Sequence, residues 1–381
     1  MPKRKANCTA MVNRSHVPTF QRAFVPPPKK KEIVFIVEKK MNTSTTKKQN
    51  IIVPNAPQIP GLSFRHYLGE ADWPQMLILS NLVNKADKTD ELETMEQLSH
   101  NYNNLKNCDP YQDVIIGEVN DEMVAFCRVS WAKEHDGPYI YRMFANIHPN
   151  WRGKGLGTAL VPYCENRLRE IAKENEHSQD VPHFFESWSG DTIPNTTALL
   201  ENHGYEPERY FFDMLRPIDK PIPAAPMPEG LEVRPFEESH NRPIFNALDE
   251  AFRDHWGHIP MTEEDYERFI TDPDSKQELW KVAWDGDEVA GMVLNYIFEE
   301  EDKEFNRKRG WTDPICVRRP WRRRGLARAL IAESIQLFRE MGYDETALGV
   351  DTKNPSGALS LYESMGYETR KTWISYRKEW K

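Results

Sequence analysis

The chain has 381 residues, 39% of them apolar, enough for two ordinary domains with packed cores. No apolar run is long enough to span a bilayer and the N-terminus lacks the continuous apolar core of a secretory signal, so the expected location is cytoplasmic. Five scattered cysteines (Cys8, Cys108, Cys127, Cys164, Cys316) show neither CxxC nor Cys/His ligand spacing, which argues against a disulfide framework and against any metal site.

The net charge of −9 hides an asymmetry. Residues 1–50 hold 12 Lys/Arg against 2 Glu, leaving −19 on the remainder, a basic tail on an acidic body. The basic residues are interrupted by Pro26 to Pro28, by polar residues and by the apolar patch Ile33 to Val37, so residues 1–58 read as a disordered tail rather than a nucleic-acid- or lipid-binding arm. Met41, followed by a Thr/Ser/Lys/Asn-rich run, is an alternative start.

Beyond the tail the chain repeats itself. Pro60 to Asp72 reads as a strand turning into a helix, and Gly61-Leu62-Ser63-Phe64-Arg65 recurs as Gly230-Leu231-Glu232-Val233-Arg234, at an offset of 169. Val119 to Phe126 and Trp284 to Gly291 are each a strand, an Asn/Asp/Gly-type turn and a returning strand, hence hairpins. HPNWRGKGLGTAL (His148 to Leu160) matches RRPWRRRGLARAL (Arg318 to Leu330) at an offset of 170, and Asn202 to Glu206 matches Ser364 to Glu368 at 162. Four matches in one order mean duplication. Five prolines between Arg216 and Gly230 suit an extended connector. The expected organisation is therefore a first domain over residues 59–216, a Pro-rich linker over 217–229 and a second domain over 230–381. Each is an α/β (α+β) layer structure around a mixed sheet.

The most informative stretch in each copy is a basic, glycine-containing turn between a short strand and an amphipathic helix. It reads Arg152-Gly153-Lys154-Gly155-Leu156-Gly157-Thr158 in the first and Arg322-Arg323-Arg324-Gly325-Leu326-Ala327-Arg328 in the second, where it follows the strand Asp313 to Val317. Free first-turn N–H groups and the positive helix end converge there, as anion binding requires. The GK[ST] ending of a nucleoside triphosphate loop and the three-glycine dinucleotide spacing are both absent. Leu330, Ile331, Ile335 and Phe338, like Leu156, Leu160, Tyr163 and Leu168, recur at helical spacing and read as core.

The two loops resemble the [Q/R]-x-x-G-x-[G/A] pyrophosphate loop of the GCN5-related N-acetyltransferase (GNAT) superfamily. The second copy also carries Asn354 to Glu368, NPSGALSLYESMGYE, similar to that family's closing motif. The tandem layout and Ala251 to Gly257 are similar to the two-domain branch that includes mycothiol synthases. The resemblance covers about Ile59 to Lys381. It implies two GNAT-like domains, each a mixed, mostly antiparallel central sheet flanked by helices, with acetyl-CoA as co-substrate. It also implies that both loops, with Val317 and Asn354, contact the cofactor, and that Tyr362 is the general acid beside the CoA sulfur. Five residues back from Tyr205, the first copy has Leu200 where the second has Tyr362, and its strand Tyr139 to Ile147 has no carboxylate. The first domain is therefore expected to be degenerate and the second catalytic.

The amine acceptor must lose a proton before it attacks the thioester, directly or through water. Candidate bases are Glu299, with Glu300 and Glu301 after the strand Met292 to Phe298, and Asp313, which shares a strand face with Ile315 and Val317. His255 is a candidate acceptor contact, and Cys316 reads as a buried strand residue. The expected function is an acyltransferase moving an acetyl group from acetyl-CoA to a small amine by direct attack in a ternary complex. The alternative is a non-catalytic acyl-CoA-binding regulatory module. Membrane and nucleic acid are not expected partners, and the tandem suits a monomer.

Overall fold

The computed structural model describes residues 50–354 and 356–380. Residues 1–49, with the basic tail and the alternative start at Met41, lie outside the described residues. The expected tail continues to residue 58, but its last residues belong to the fold: β1 (Asn50–Ile51) pairs with β2 (Leu62–His66), and Val53 is buried.

The first half continues with α1 (Trp73–Asp87), α2 (Met95–Asn103), α3 (Pro110–Asp113), β3 (Val114–Val119), β4 (Glu122–Lys133), β5 (Tyr139–Ile147), α4 (Leu156–Glu174), β6 (His183–Gly190), α5 (Pro194–Asn202) and β7 (Glu206–Pro217). The second repeats the plan with β8 (Glu232–Val233), α6 (Asn241–Phe252), α7 (Glu263–Ile270), β9 (Lys281–Asp285), β10 (Glu288–Ile297), α8 (Glu299–Glu304), β11 (Arg309–Val317), α9 (Leu326–Glu340), β12 (Glu345–Asp351), α10 (Ala358–Ser364) and β13 (Glu368–Glu379). Both predicted hairpins form. At the β3–β4 turn Asn120 and Asp121 have φ of 52° and 67°, the left-handed pair that a two-residue hairpin needs to match strand twist. Leu330, Ile331, Ile335 and Phe338 of α9 are wholly buried against the sheet, so the 3.6-residue stripe marks the core face.

The sheet is continuous across both halves, in the order β1-β2-β3-β4-β5-β6-β13-β7-β12-β11-β10-β9-β8. The halves exchange their last strands. β13 lies between β6, from Trp373 opposite Gly190 to Glu379 opposite Phe184, and β7. In turn β7 pairs along the whole of β12, from Phe211 opposite Asp351 to Pro217 opposite Glu345. The connector between Pro217 and Glu232 has no helix or strand and is tied down: buried Arg216 donates to the carbonyls of Lys220 and Pro221, and Arg339 to those of Ile218 and Lys220.

Glu186 of β6 pins this exchange. It is almost fully buried and accepts from Arg142 of β5 and Arg377 of β13, each at 2.9 Å. Burial alone would raise its pKa, but the two guanidiniums outweigh burial and hold it below the usual carboxylate value. Its ionisation therefore stabilises the fold above the unfolded carboxyl pKa of about 4.3, and that contribution is lost as pH falls through the lower folded value. Glu186→Gln leaves Arg377 without this buried counter-charge and is expected to cost about 3–5 kcal/mol. Urea midpoints at pH 7 should show the loss, and the gap to the unsubstituted protein should narrow in acid.

Candidate active site

Each half contains a parallel strand pair that starts together and then parts. β5 and β6 pair from Tyr139–Arg142 against His183–Glu186, and the Ser187 hydroxyl donates to the Met143 carbonyl at 3.1 Å where they separate. β11 and β12 pair from Arg309–Trp311 against Glu345–Ala347, and Thr312 donates to the Ala347 carbonyl, also at 3.1 Å. Beyond these points the strands no longer bond each other, and the basic loop closes the mouth of each wedge.

The loops have the same backbone. Gly155 and Gly325, immediately before α4 and α9, both take φ of 89°, a left-handed value that costs any other side chain about 1–3 kcal/mol. Two residues earlier stand Gly153 at φ 70° and Arg323 at φ 64°. Arg323 is an exposed non-glycine residue held left-handed, and alternation of this kind turns successive N–H groups toward one point, an anion nest. The side chains divide their roles. Arg152 donates to the Ile147 carbonyl and to Asp87, while Arg322 donates to the carbonyls of Val317 and Ala251 and to Asp254. Hydrogen bonds from Arg319 and Arg322 hold the Asp254 carboxyl well below its ordinary pKa. The first arginine of each motif thus fastens the loop to the C-terminal end of an earlier helix, α1 in the first half and α6 in the second. Arg324 donates to the Glu229 carbonyl and Arg328 to the Ser364 hydroxyl, whereas Lys154 rests over Trp151 at 4.3 Å. Thr158 is exposed beside Gly157 on the first turn of α4. The aspartate partners were legible only as a repeat: Asp87 precedes Arg152 by 65 residues and Asp254 precedes Arg322 by 68.

A cavity of about 790 Å³ fills the first wedge. The Arg152-to-Thr158 loop borders it at one end and Arg142 with Glu186 at the other, and Leu200 lines its wall. In the second half Tyr362 of α10 takes the place of Leu200. It is 6% exposed, and burial followed by the nearby Asp313 carboxylate pushes its hydroxyl pKa well above the ordinary 10. Asp313 is thus within electrostatic reach of Tyr362, and the predicted alternation with Ile315 and Val317 is interrupted there, because the register slips and Leu294 of β10 faces both Asp313 and Pro314. Asn354 orders the turn before α10: its side-chain oxygen accepts from the Ser356 N–H and its carbonyl from the Gly357 N–H.

Glu299 is not part of this grouping. It opens α8, is 60% exposed and sits 3.7 Å from Lys276. Because β10 and β11 are antiparallel, with Gly291 opposite Val317 and Ile297 opposite Gly310, α8 follows the strand end remote from the loop. Glu300 is exposed and pairs with Lys303, while Glu301 is buried, beside Arg307 at 3.5 Å, and accepts from the Leu92 N–H. Period-two alternation identifies a strand face but not which end of the strand meets the ligand, which is why this run reads as a candidate in sequence. His255 packs on Phe252 at 4.3 Å, and burial lowers its pKa to about 4, so it is neutral at pH 7. Cys316 is buried, its thiol pushed up to about 12, an inert strand residue.

Profiles of the acetyltransferase (GNAT) family match residues 241–367, and of the acetyltransferase (GNAT) domain residues 110–207, together more than half of the chain. The chain belongs to the GNAT superfamily. Among curated proteins this tandem GNAT chain is 26% identical over 264 residues to the mycothiol acetyltransferase of Thermobispora bispora, covering 68% of this chain and 81% of that one. It is 26% identical over 235 residues to that of Geodermatophilus obscurus, covering 61% and 72%. A GCN5-related N-acetyltransferase from Sphaerobacter thermophilus superposes with a TM-score of 0.62 at 27% identity, over 84% of this chain and 95% of that one. A tandem GNAT protein from the clavulanic acid biosynthesis pathway shares the fold, with a TM-score of 0.55 at 14% identity over 84% and 98%. The GNAT chain is thus an acetyltransferase that uses acetyl-CoA as co-substrate. No helix among its described residues is long and apolar enough to cross a membrane, and those residues contain no metal-binding cluster.

Proposed function

We propose that the second half transfers an acetyl group from acetyl-CoA to the amine of a small cationic acceptor, and that the first half holds acyl-CoA without turning it over. The observation that carries this reading is the buried Tyr362, within electrostatic reach of Asp313, at the position where the first half has Leu200. The raised pKa of Tyr362 keeps its proton in place through neutral pH, so the hydroxyl can protonate the departing CoA thiolate. Asp313 is the carboxylate placed to take the proton of the attacking amine, directly or through water. The loop Arg322 to Ala327 holds the pyrophosphate, and Asn354 fixes the turn that carries α10 over the thioester. The attack is direct, so no nucleophilic side chain is required.

The acidic balance of the chain beyond its basic tail supports a cationic acceptor, of the polyamine, aminoglycoside or amino-sugar class. Release of CoA thiol with a panel of such amines tests the reading, and silence with every amine despite tight acetyl-CoA binding would favour a sensor instead. A β-branched side chain cannot take the φ of either loop glycine without strain. Gly325→Val should therefore stop thiol release, and Gly155→Val should halve the acyl-CoA bound per chain in equilibrium dialysis.

A further inference from the structure

The two wedges differ in charge at equivalent places. Ala125 lies opposite Ile147, the last residue of β5, and Gly291 opposite Val317, the last of β11. Counting three residues on from each along β4 and β10 gives Arg128 in the first half and Leu294 in the second. Counting four back from Ile147 and Val317 gives Met143, in unbroken register with Val129, and Asp313, in the bulge where Leu294 faces both Asp313 and Pro314. The first wedge has Arg128 where the second has Leu294 and Met143 where the second has Asp313, its own lining carboxylates being Asp87 and Glu186, which are held by Arg152 and by Arg142 with Arg377.

Arg128 and Ser130 alternate on one face of β4, and Arg142 is the direct partner of Ser130 on β5, so the three share that face. All three line the cavity. Arg142 is matched by Glu186 at 2.9 Å. Arg128 is not matched: its guanidinium is held over Tyr102 at 5.4 Å and Phe144 at 5.9 Å, and it has no carboxylate partner among the described residues. A half-buried guanidinium steadied by aromatic rings, without a counter-ion, is a receptor for an anion. Its position defines which end of a ligand it meets. The pyrophosphate loop closes the wedge at Ile147, and the strands rejoin at Arg142, roughly 16 Å away along the strand at about 3.3 Å per residue. Arg128, opposite Phe144, stands three residues in from the loop, roughly 10 Å at the same rise, so the group that reaches it lies beyond the phosphates, toward the acyl end.

We propose that the cavity of the first half is built for an acyl-CoA whose acyl chain ends in a carboxylate, the class of half-thioesters of dicarboxylic acids, with that carboxylate bound by Arg128 beside Arg142. This rests on the reading that the first loop holds an acyl-CoA. The site then distinguishes cofactors by charge: the second half takes the neutral acetyl group that it transfers, and the first retains a different, anionic acyl-CoA.

The test is titration of the full chain with succinyl-CoA and acetyl-CoA, using the signal lost in Gly155→Val to identify the first site. Succinyl-CoA is expected to bind there roughly tenfold or more tightly than acetyl-CoA, as one charge-assisted contact supplies. Arg128→Met should abolish that preference while acetyl-CoA affinity at the site holds, and Arg128→Lys should restore part of it. Equal affinities for the two thioesters, or an equal loss of both in Arg128→Met, would overturn the carboxylate assignment and leave the acyl-CoA reading standing. If Gly155→Val removes no binding signal for either thioester while its unfolding curve is unchanged, the acyl-CoA reading of the first cavity falls, and this inference with it.

Discussion

Removal of β13 unfolds the whole protein, not the second half alone. Truncation after Tyr367 should give a chain without a cooperative thermal transition, in circular dichroism and calorimetry alike. β13 is a central strand, bonded to β6 on one side and β7 on the other, although it is the last element of the second copy. Its Trp373 and Tyr376 are buried, Trp373 in a cluster with Ile193, Phe211 and Trp256 and Tyr376 in the core of the first half. Losing such side chains costs about 3–5 kcal/mol each. Exposing the ladder groups of β6 and β7 and the charge of Glu186 costs more, and the sum exceeds the roughly 5–15 kcal/mol by which a domain is stable. The same reasoning predicts that residues 59–216 expressed alone do not fold, because β6 and β7 then lack β13 between them. A cooperative transition in either fragment would contradict the exchange.

Tyr362→Phe should lower kcat by about 10²–10⁴, the usual contribution of a positioned proton donor, with little change in acetyl-CoA affinity. The substitution removes one oxygen and keeps the ring that packs against Tyr367 at 6.4 Å between centroids, so unfolding temperatures should hardly move. That separation of effects distinguishes a catalytic hydroxyl from a core aromatic ring. A purely structural tyrosine would give undiminished transfer. Because the hydroxyl keeps its proton well past neutrality, the alkaline limb of the unsubstituted enzyme should not report a tyrosine ionising near its ordinary pKa of 10.

Asp313 could be read from strand alternation and Tyr362 only from the resemblance of Asn354 to Glu368 to the family's closing motif, and the fold puts Asp313 within electrostatic reach of the Tyr362 hydroxyl. Glu299 could not be sorted from Asp313 in sequence, since both follow or occupy strands of the same sheet and only strand direction separates them. Arg128 carries no sequence signal at all. Within β4 it is one more polar residue in an alternating run, and its meaning comes from Tyr102 and Phe144, which hold it, and from the missing carboxylate. Glu186 is hidden in sequence for a related reason: β5 carries no carboxylate, and the charge facing that wedge lies on β6, whose pairing with β5 is not written in either strand.

Features set by short-range chemistry are legible in the chain alone. Glycines at left-handed positions, a basic turn ahead of an amphipathic helix, and hairpin turns of Asn and Asp are local, and their repetition at a near-constant offset exposes the duplication. The substitution of Leu200 for Tyr362 is likewise visible without coordinates. That the copies share one sheet and trade their last strands, and that Arg128, Arg142 and Glu186 line the first wedge, emerges only on folding. A strand presents the same alternation and the same unpaired N–H and C=O groups to any neighbour, so its own residues do not name its partner. That choice is made by contacts such as those of Arg377 with Glu186 and Trp373 with Phe211, between residues that meet only when both halves have folded.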